Sequence, residues 1–211
     1  MPVTSSRTPS RRADDGRRAE LIAAASRVIA RDGIAAATTR RIAEEAGAPA
    51  GLVHYWFAGK DELLEEVVAA VLGSIETAIV AADAAEGGTS LLGRLRAAFR
   101  AVEQDEPGRQ LALYEMTTMA LRKPELTHVA EQQYTAYRRA ATDAVTSWLE
   151  ATGARLPADT AVLGQLIAVL FDGLVLAWLA DPEHTDVDGV LTLLSKLIEQ
   201  YAAIPPQTPQ P

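Results

Sequence analysis

The sequence predicts an all-α fold: an N-terminal three-helix helix-turn-helix domain, then a larger C-terminal helical domain. Three observations predict it. Apolar residues recur at helical spacing through nearly the whole chain, and no alternating strand pattern competes with them. The breaks fall on helix-ending residues, at Gly33, Gly47, Gly87-Gly88, Pro107, Pro124, Gly153 to Pro157 and Asp181-Pro182. Residues 38–60 read as two short helices across a tight turn.

The first helix is expected over 17–32, where Leu21, Ile22, Ala25, Val28 and Ile29 make one apolar stripe and Gly33 stops it. Residues 1–16 are Ser-, Pro- and Arg-rich and read as a disordered basic arm. In the helix-turn-helix, Thr38 or Thr39 can cap the first helix, because a hydroxyl accepts a bond from an otherwise unpaired N–H. Ile42, Ala43 and Ala46 share a face, and Gly47 stands where a left-handed residue ends a helix. Pro49 fits the first turn of the next helix, whose missing N–H costs nothing there. Val53 and Phe57, at i and i+4, pack back on Ile42 and Ala46. Asp61 can cap a long helix that carries Leu63, Leu64, Val67, Val68, Val71, Leu72, Ile75 and Ile79 and fades at Ala84 to Gly88. Five further helices are expected, over 89–106, 107–122, 124–151, 158–180 and 187–203, with a non-helical tail from Ile204 to Pro211. The chain thus divides into a disordered basic arm (1–16), a helix-turn-helix DNA-binding domain (17–60), a C-terminal helical domain (61–205) and a disordered tail (206–211).

Composition bounds the setting. The 211 residues suffice for one large domain or two small ones, and 48% hydrophobic content supplies a core. There is no cysteine, so disulfides and thiolate metal sites are excluded and a reducing cytoplasm is the expected home. No apolar signal-peptide core stands near the N-terminus. The net charge of −8 is unevenly spread: residues 1–60 hold 10 Lys/Arg against 6 Asp/Glu, the remainder 10 against 22. Phosphate binding needs local positive charge, and an acidic remainder would steer docking to the N-terminal face.

The ordered set Gly33, Thr39-Arg40-Arg41-Ile42-Ala43, Ala46-Gly47, Tyr55-Trp56-Phe57 and Lys60-Asp61-Glu62-Leu63-Leu64 resembles the DNA-binding domain of the TetR family of transcriptional regulators, over residues 17–64. The resemblance implies a second motif helix in a DNA major groove. It carries a base-reading Arg onto Arg40, whose guanidinium can give two parallel bonds to a guanine edge; a phosphate contact or a solvated arginine is the alternative. It carries a phosphate-binding Lys onto Lys60. Arg41 and Thr39 are further backbone-contact candidates, although Thr39 could be a plain cap. The second motif helix departs from the family pattern at Pro49, Ala50 and His54. Ala50, Gly51 and Leu52 can offer only apolar contacts and close backbone approach, while His54 and Trp56 can each donate one bond to a phosphate. At least one of Tyr55 and Trp56 is expected in the core. Arg7, Arg11, Arg12, Arg17 and Arg18 of the arm could reach the DNA backbone or minor groove.

Residues 161–180 hold only Gln165 and Asp172 as polar residues, over the length of a membrane span. A mid-span Asp172 would cost about 2.5–3.5 kcal/mol. Neither end is flanked by Lys or Arg, so a helix buried on its own domain and on a second subunit is the better reading. The resemblance agrees, since the last two long helices of such proteins commonly pair across a two-fold axis, and a dimer presents two reading helices to a palindrome.

Tyr114, Met116, Met119, Tyr134, Tyr137, Trp148, Phe171, Asp172 and Trp178 could line an effector cavity, with Asp172 as polar anchor; ordinary core is the competing reading. His54, His128 and His184 lie far apart, and no HExxH, phosphate loop or nucleophile elbow is present. No catalysis, cofactor or metal is therefore expected. The function implied is a homodimeric, ligand-responsive repressor that binds a double-stranded DNA operator and is released by a small-molecule effector. An architectural DNA-binding protein without effector is the alternative.

Overall fold

In a computed structural model, residues 11–86, 90–105, 107–157 and 159–202 are described. Every helix or strand among them is helical: α1 (Arg11–Asp32), a 3-10 turn (Ile34–Ala36), α2 (Thr39–Glu45), α3 (Gly51–Trp56), α4 (Lys60–Glu86), α5 (Leu91–Glu103), α6 (Pro107–Ala120), a second 3-10 turn (Pro124–Leu126), α7 (Thr127–Thr152), α8 (Thr160–Ala180) and α9 (Val187–Tyr201).

These elements form two compact units. The first takes residues up to 71 together with 107–130. Its core is the α1 stripe of Leu21, Ala24, Ala25, Val28 and Ile29, closed by Ile42, Val53, Phe57, Leu63 and Leu64, all 3% exposed or less. Leu113, Met116 and Ala120 bury one side of α6. Gly108 lets α6 approach α1 backbone to backbone, because a Cβ there would fall inside the van der Waals shell of the Ala30 carbonyl. The α6 helix thus packs with the N-terminal helices in this unit.

The helix ends follow from local chemistry. Thr38 caps α2, its hydroxyl accepting the Arg41 N–H at 3.2 Å. Gly47 takes φ 60°, and the Ala48 N–H returns to the Ala43 carbonyl at 2.8 Å, the usual left-handed closure. Three expectations need correction. Residues 11–16, expected in a disordered arm, are the first turns of α1, while 1–10 lie outside the described residues. Pro49 precedes α3, which starts at Gly51, and its carbonyl accepts the Leu52 N–H at 2.9 Å. The N-terminal turn of α4 is capped from Glu62, whose carboxylate accepts the Ala58 N–H at 2.6 Å; Asp61 instead pairs with Lys123 at 3.2 Å.

The second unit holds residues 72–105 and 131–202. Ser90, Asp159 and Asp186 cap α5, α8 and α9. Arg96 on α5 makes a two-pronged pair with Asp188 on α9, at 2.6 and 2.8 Å. Gly164 on α8 meets the Thr142 backbone of α7. The long apolar α8 is not buried all round. Leu163, Ile167, Ala168, Leu174 and Val175 are buried, while Val162, Leu166, Val169, Leu170 and Leu176 are 44–63% exposed. On α9, Val190, Leu193, Leu197 and Tyr201 form a second exposed apolar row, opposite buried Leu191, Leu194 and Ile198.

Candidate nucleic-acid interface

The reading surface is built by α2 and α3. Val53 and Phe57 point into the core, so His54 and Tyr55 between them turn outward, while Trp56 stays half-buried. Ala50, Gly51, His54 and Tyr55 are exposed and Leu52 is half-exposed, which makes an outward face of small, apolar and ring groups. Tyr55 is 74% exposed and stands edge-on to Trp56, ring centroids 5.1 Å apart. The tyrosine is thus a contact candidate that the sequence reading left among possible core residues. The i, i+4 spacing of Val53 and Phe57 is the signal that places it outside.

Trp56 behaves otherwise. It is half-buried, and its Nε1–H is buried without a hydrogen-bond partner, which does not present it for the expected phosphate contact. Phe57 lies beneath the Arg18 guanidinium at 5.2 Å, and Arg18 also pairs with Glu66 at 2.7 Å. Arg18, expected in a DNA-binding arm, therefore ties α1 to α4; Arg17 is exposed.

Arg40 reaches outward with an 83% exposed side chain, and its Nε donates to Glu44 at 2.9 Å, one turn along α2. Glu44 holds the Arg40 pKa above its ordinary value. Arg41 pairs with Asp32 at 2.9 Å, and Arg31 bridges Asp32 and Glu45. Arg27 joins Glu45 to Glu20. This lattice fixes α2 on α1, and Arg27, then Arg31, hold the Glu45 carboxyl below its usual range. Arg41 thus has a structural partner as well as a surface position. Thr39 is half-buried behind the capping Thr38.

Lys60 opens α4 at the edge of this surface. Its ammonium donates to the Ile34 carbonyl at 2.9 Å, and desolvation lowers its pKa. One of three N–H donors is spent inward, leaving two for a phosphate.

The effector candidates do not form one cluster. Tyr114, Met116 and Met119 lie on α6 in the first unit. The two methionines line a shallow cleft with Leu64, Val68, Leu126 and Val129. In the second unit, Phe171 and Trp178 flank Phe99 edge-on, at 6.1 and 5.5 Å, and Trp148 is buried at 4% exposure. Tyr134 and Asp172 meet: the phenol donates to the carboxylate at 2.7 Å, joining α7 to α8. Tyr137 stacks edge-on to Tyr134 at 5.8 Å and accepts from Gln133, a buried amide that sequence reasoning did not single out. The Asp172 bond pushes the Tyr134 pKa up to about 12. Among the described residues no group of three or more His, Asp or Glu could hold a metal ion. The α8 helix is long and apolar enough to cross a membrane by length and composition alone.

Comparison with known proteins agrees with this geometry. The model of bacterial regulatory proteins of the tetR family matches residues 21–67, and that of the tetracyclin repressor-like C-terminal domain matches residues 86–200. The nicotine-responsive transcriptional repressor HdnoR of Paenarthrobacter nicotinovorans is 31% identical over 191 residues, covering 88% of this chain and 93% of that protein. The regulator BetI 2 of Chromohalobacter salexigens is 42% identical over 65 residues, 31% of either chain. Among solved structures, a transcriptional regulator from Rhodococcus sp. Rha1 superposes with a TM-score of 0.70 at 20% identity, over 90% of this chain and 99% of that one. The multidrug binding protein EbrR, complexed with imidazole, gives a TM-score of 0.64 at 24% identity, over 90% and 97%.

Proposed function

Because the chain belongs to the TetR family of bacterial regulatory proteins, we propose that it is a cytoplasmic, homodimeric repressor that leaves a palindromic operator when a small organic molecule binds its C-terminal domain. The observation that carries the reading is the outward face of α3 beside a fully presented Arg40. Small groups at Ala50 and Gly51 permit close approach to the groove floor, and Arg40 can read a guanine edge. Thr39, Arg41, Leu52, His54 and Lys60 supply the surrounding backbone and apolar contacts, joined by Tyr55.

Two features support the rest. The exposed apolar rows of α8 and α9 have the composition of a surface that a second subunit covers. A two-fold dimer would set two reading helices on successive half-sites. The half-buried Asp172 carboxylate, bonded to the Tyr134 phenol with Tyr137 edge-on to that ring, brings together acidic and aromatic groups of the kind that suit an organic base. The relative HdnoR is nicotine-responsive, and nicotine is an organic base. Release requires only that the effector favour the conformation unable to fit the operator, a coupling of about 1–3 kcal/mol.

The test is titration of a protein–operator complex with a panel of organic bases. A compound that dissociates the complex, and loses that effect with Asp172→Asn, supports the reading. If no small molecule changes operator affinity, the effector part fails.

A further inference from the structure

We infer that Glu115, on α6, is a positioning residue for DNA reading: through the Ile34 peptide it sets where α2 starts and hence where Arg40 is presented. The inference rests on the reading that α2 and α3 dock on an operator.

The link between α1 and α2 is only six residues long, 33–38, and its backbone is held by side chains from two other helices. The Ile34 N–H donates to Glu115 Oε2 at 2.7 Å, across 81 residues of sequence. The carbonyl of the same residue accepts from Lys60 Nζ at 2.9 Å. The Glu115 carboxylate lies against Gly33, whose φ of 80° starts the turn; a Cβ there would sit 3.3 Å from both carboxylate oxygens. One peptide is thus gripped by α6 on one side and by α4 on the other. The chain then passes through fully buried Ala37 to Thr38, the cap of α2, and reaches Arg40 two residues later.

The carboxylate does more than fill a vacancy. A free N–H at the start of a short turn could be satisfied by water or by a neighbouring hydroxyl. Here it takes a charge-assisted bond, and the acceptor stands on a distant helix that is anchored independently. Gly108 seats the start of α6 on the Ala30 backbone, and Lys123, just past its end, pairs with Asp61 of α4. A shift of α6 along α1 is therefore passed to the start of the reading helices through a single short bond.

The experiment compares wild type, Glu115→Ala, Glu115→Asp and Glu115→Gln for affinity on operator and on random DNA, with thermal unfolding recorded for each. Glutamine keeps an acceptor at the same reach, while aspartate keeps the charge but falls one methylene short. The expected result is a loss of about tenfold in the operator-to-random ratio for Ala and Asp, with unchanged affinity for random DNA, and a ratio within about twofold of wild type for Gln. Should Glu115→Ala not fold, the Asp and Gln pair decides alone. An unchanged ratio with a lowered unfolding temperature would overturn the inference, as would equal losses on both DNAs. A wild type without operator preference would instead remove the operator reading, and this inference with it.

Discussion

Arg40 donates from Nε to Glu44 Oε1 at 2.9 Å, so the side chain best placed to read a base is paired with an acid on its own helix. The pair is exposed on both sides and weak in water. On DNA, Glu44 would sit among phosphates and compete with them for the guanidinium. Glu44→Gln is expected to tighten binding to any DNA by roughly threefold at low salt, the gain shrinking as salt rises. Binding isotherms at several ionic strengths check this, and weaker binding in the variant would assign Glu44 a contact of its own.

The Tyr134 to Asp172 bond has an alkaline signature. The native fold raises the phenol pKa from 10.0 to about 12, first because the neutral hydroxyl donates to the carboxylate. The sign follows: this contribution is complete below pH 10 and is lost as the pH rises through about 12. Ultraviolet titration of tyrosinate should show a late-ionising fraction from Tyr134. That late fraction should vanish in Tyr134→Phe and move down toward the ordinary range in Asp172→Asn, where burial alone still raises it. An unchanged profile in Asp172→Asn would show that another group sets it.

Two glycines of the same unit should respond in opposite directions to alanine. Gly108 faces the Ala30 backbone with no space for a Cβ, so Gly108→Ala should cost about 1–3 kcal/mol by forcing α6 off α1. Gly16 lies exposed within α1 with nothing near its missing Cβ, so Gly16→Ala should stabilise by about 0.5–1 kcal/mol. Denaturant unfolding of the two variants tests the α1–α6 packing directly.

The exposed rows of α8 and α9 predict an association equilibrium. Leu193 and Leu197 are 59% and 56% exposed and one turn apart. Replacing both by glutamate should leave the helical content intact and convert a dimer to a monomer by sedimentation. Operator affinity should fall at least tenfold, since two linked half-sites become one. A variant that remains dimeric would move the interface elsewhere.

Local chemistry made much of this molecule legible beforehand. Thr38, Gly47, Ser90 and the apolar stripes announce their helices, because caps and 3.6-residue periodicity act within a few residues. The ordered set from Gly33 to Leu64 was enough to indicate the family. What stayed hidden is what each stripe meets. Gly108 reads as one more helical glycine until Ala30 is placed against it, and the membership of α6 in the first unit follows from that contact. Glu115 carries no motif, since its partner is a backbone N–H 81 residues away. The family resemblance implies a phosphate ligand at Lys60, while its inward bond to Ile34 depends on tertiary placement. The aromatic residues of the C-terminal part could be named by type, yet only the fold sorts Tyr134 and Tyr137 to Asp172 and Phe171 and Trp178 to Phe99.

The most direct measurement is a gel shift of the purified protein on fragments flanking its own gene, with Arg40→Ala beside it and a salt series for both. A base-reading Arg40 predicts a tight shift confined to particular fragments, reduced roughly ten- to a hundredfold on those fragments by Arg40→Ala while binding to random DNA is nearly unchanged. Equal, salt-labile binding to every fragment, with the variant weakened uniformly, would contradict it and leave only phosphate attraction.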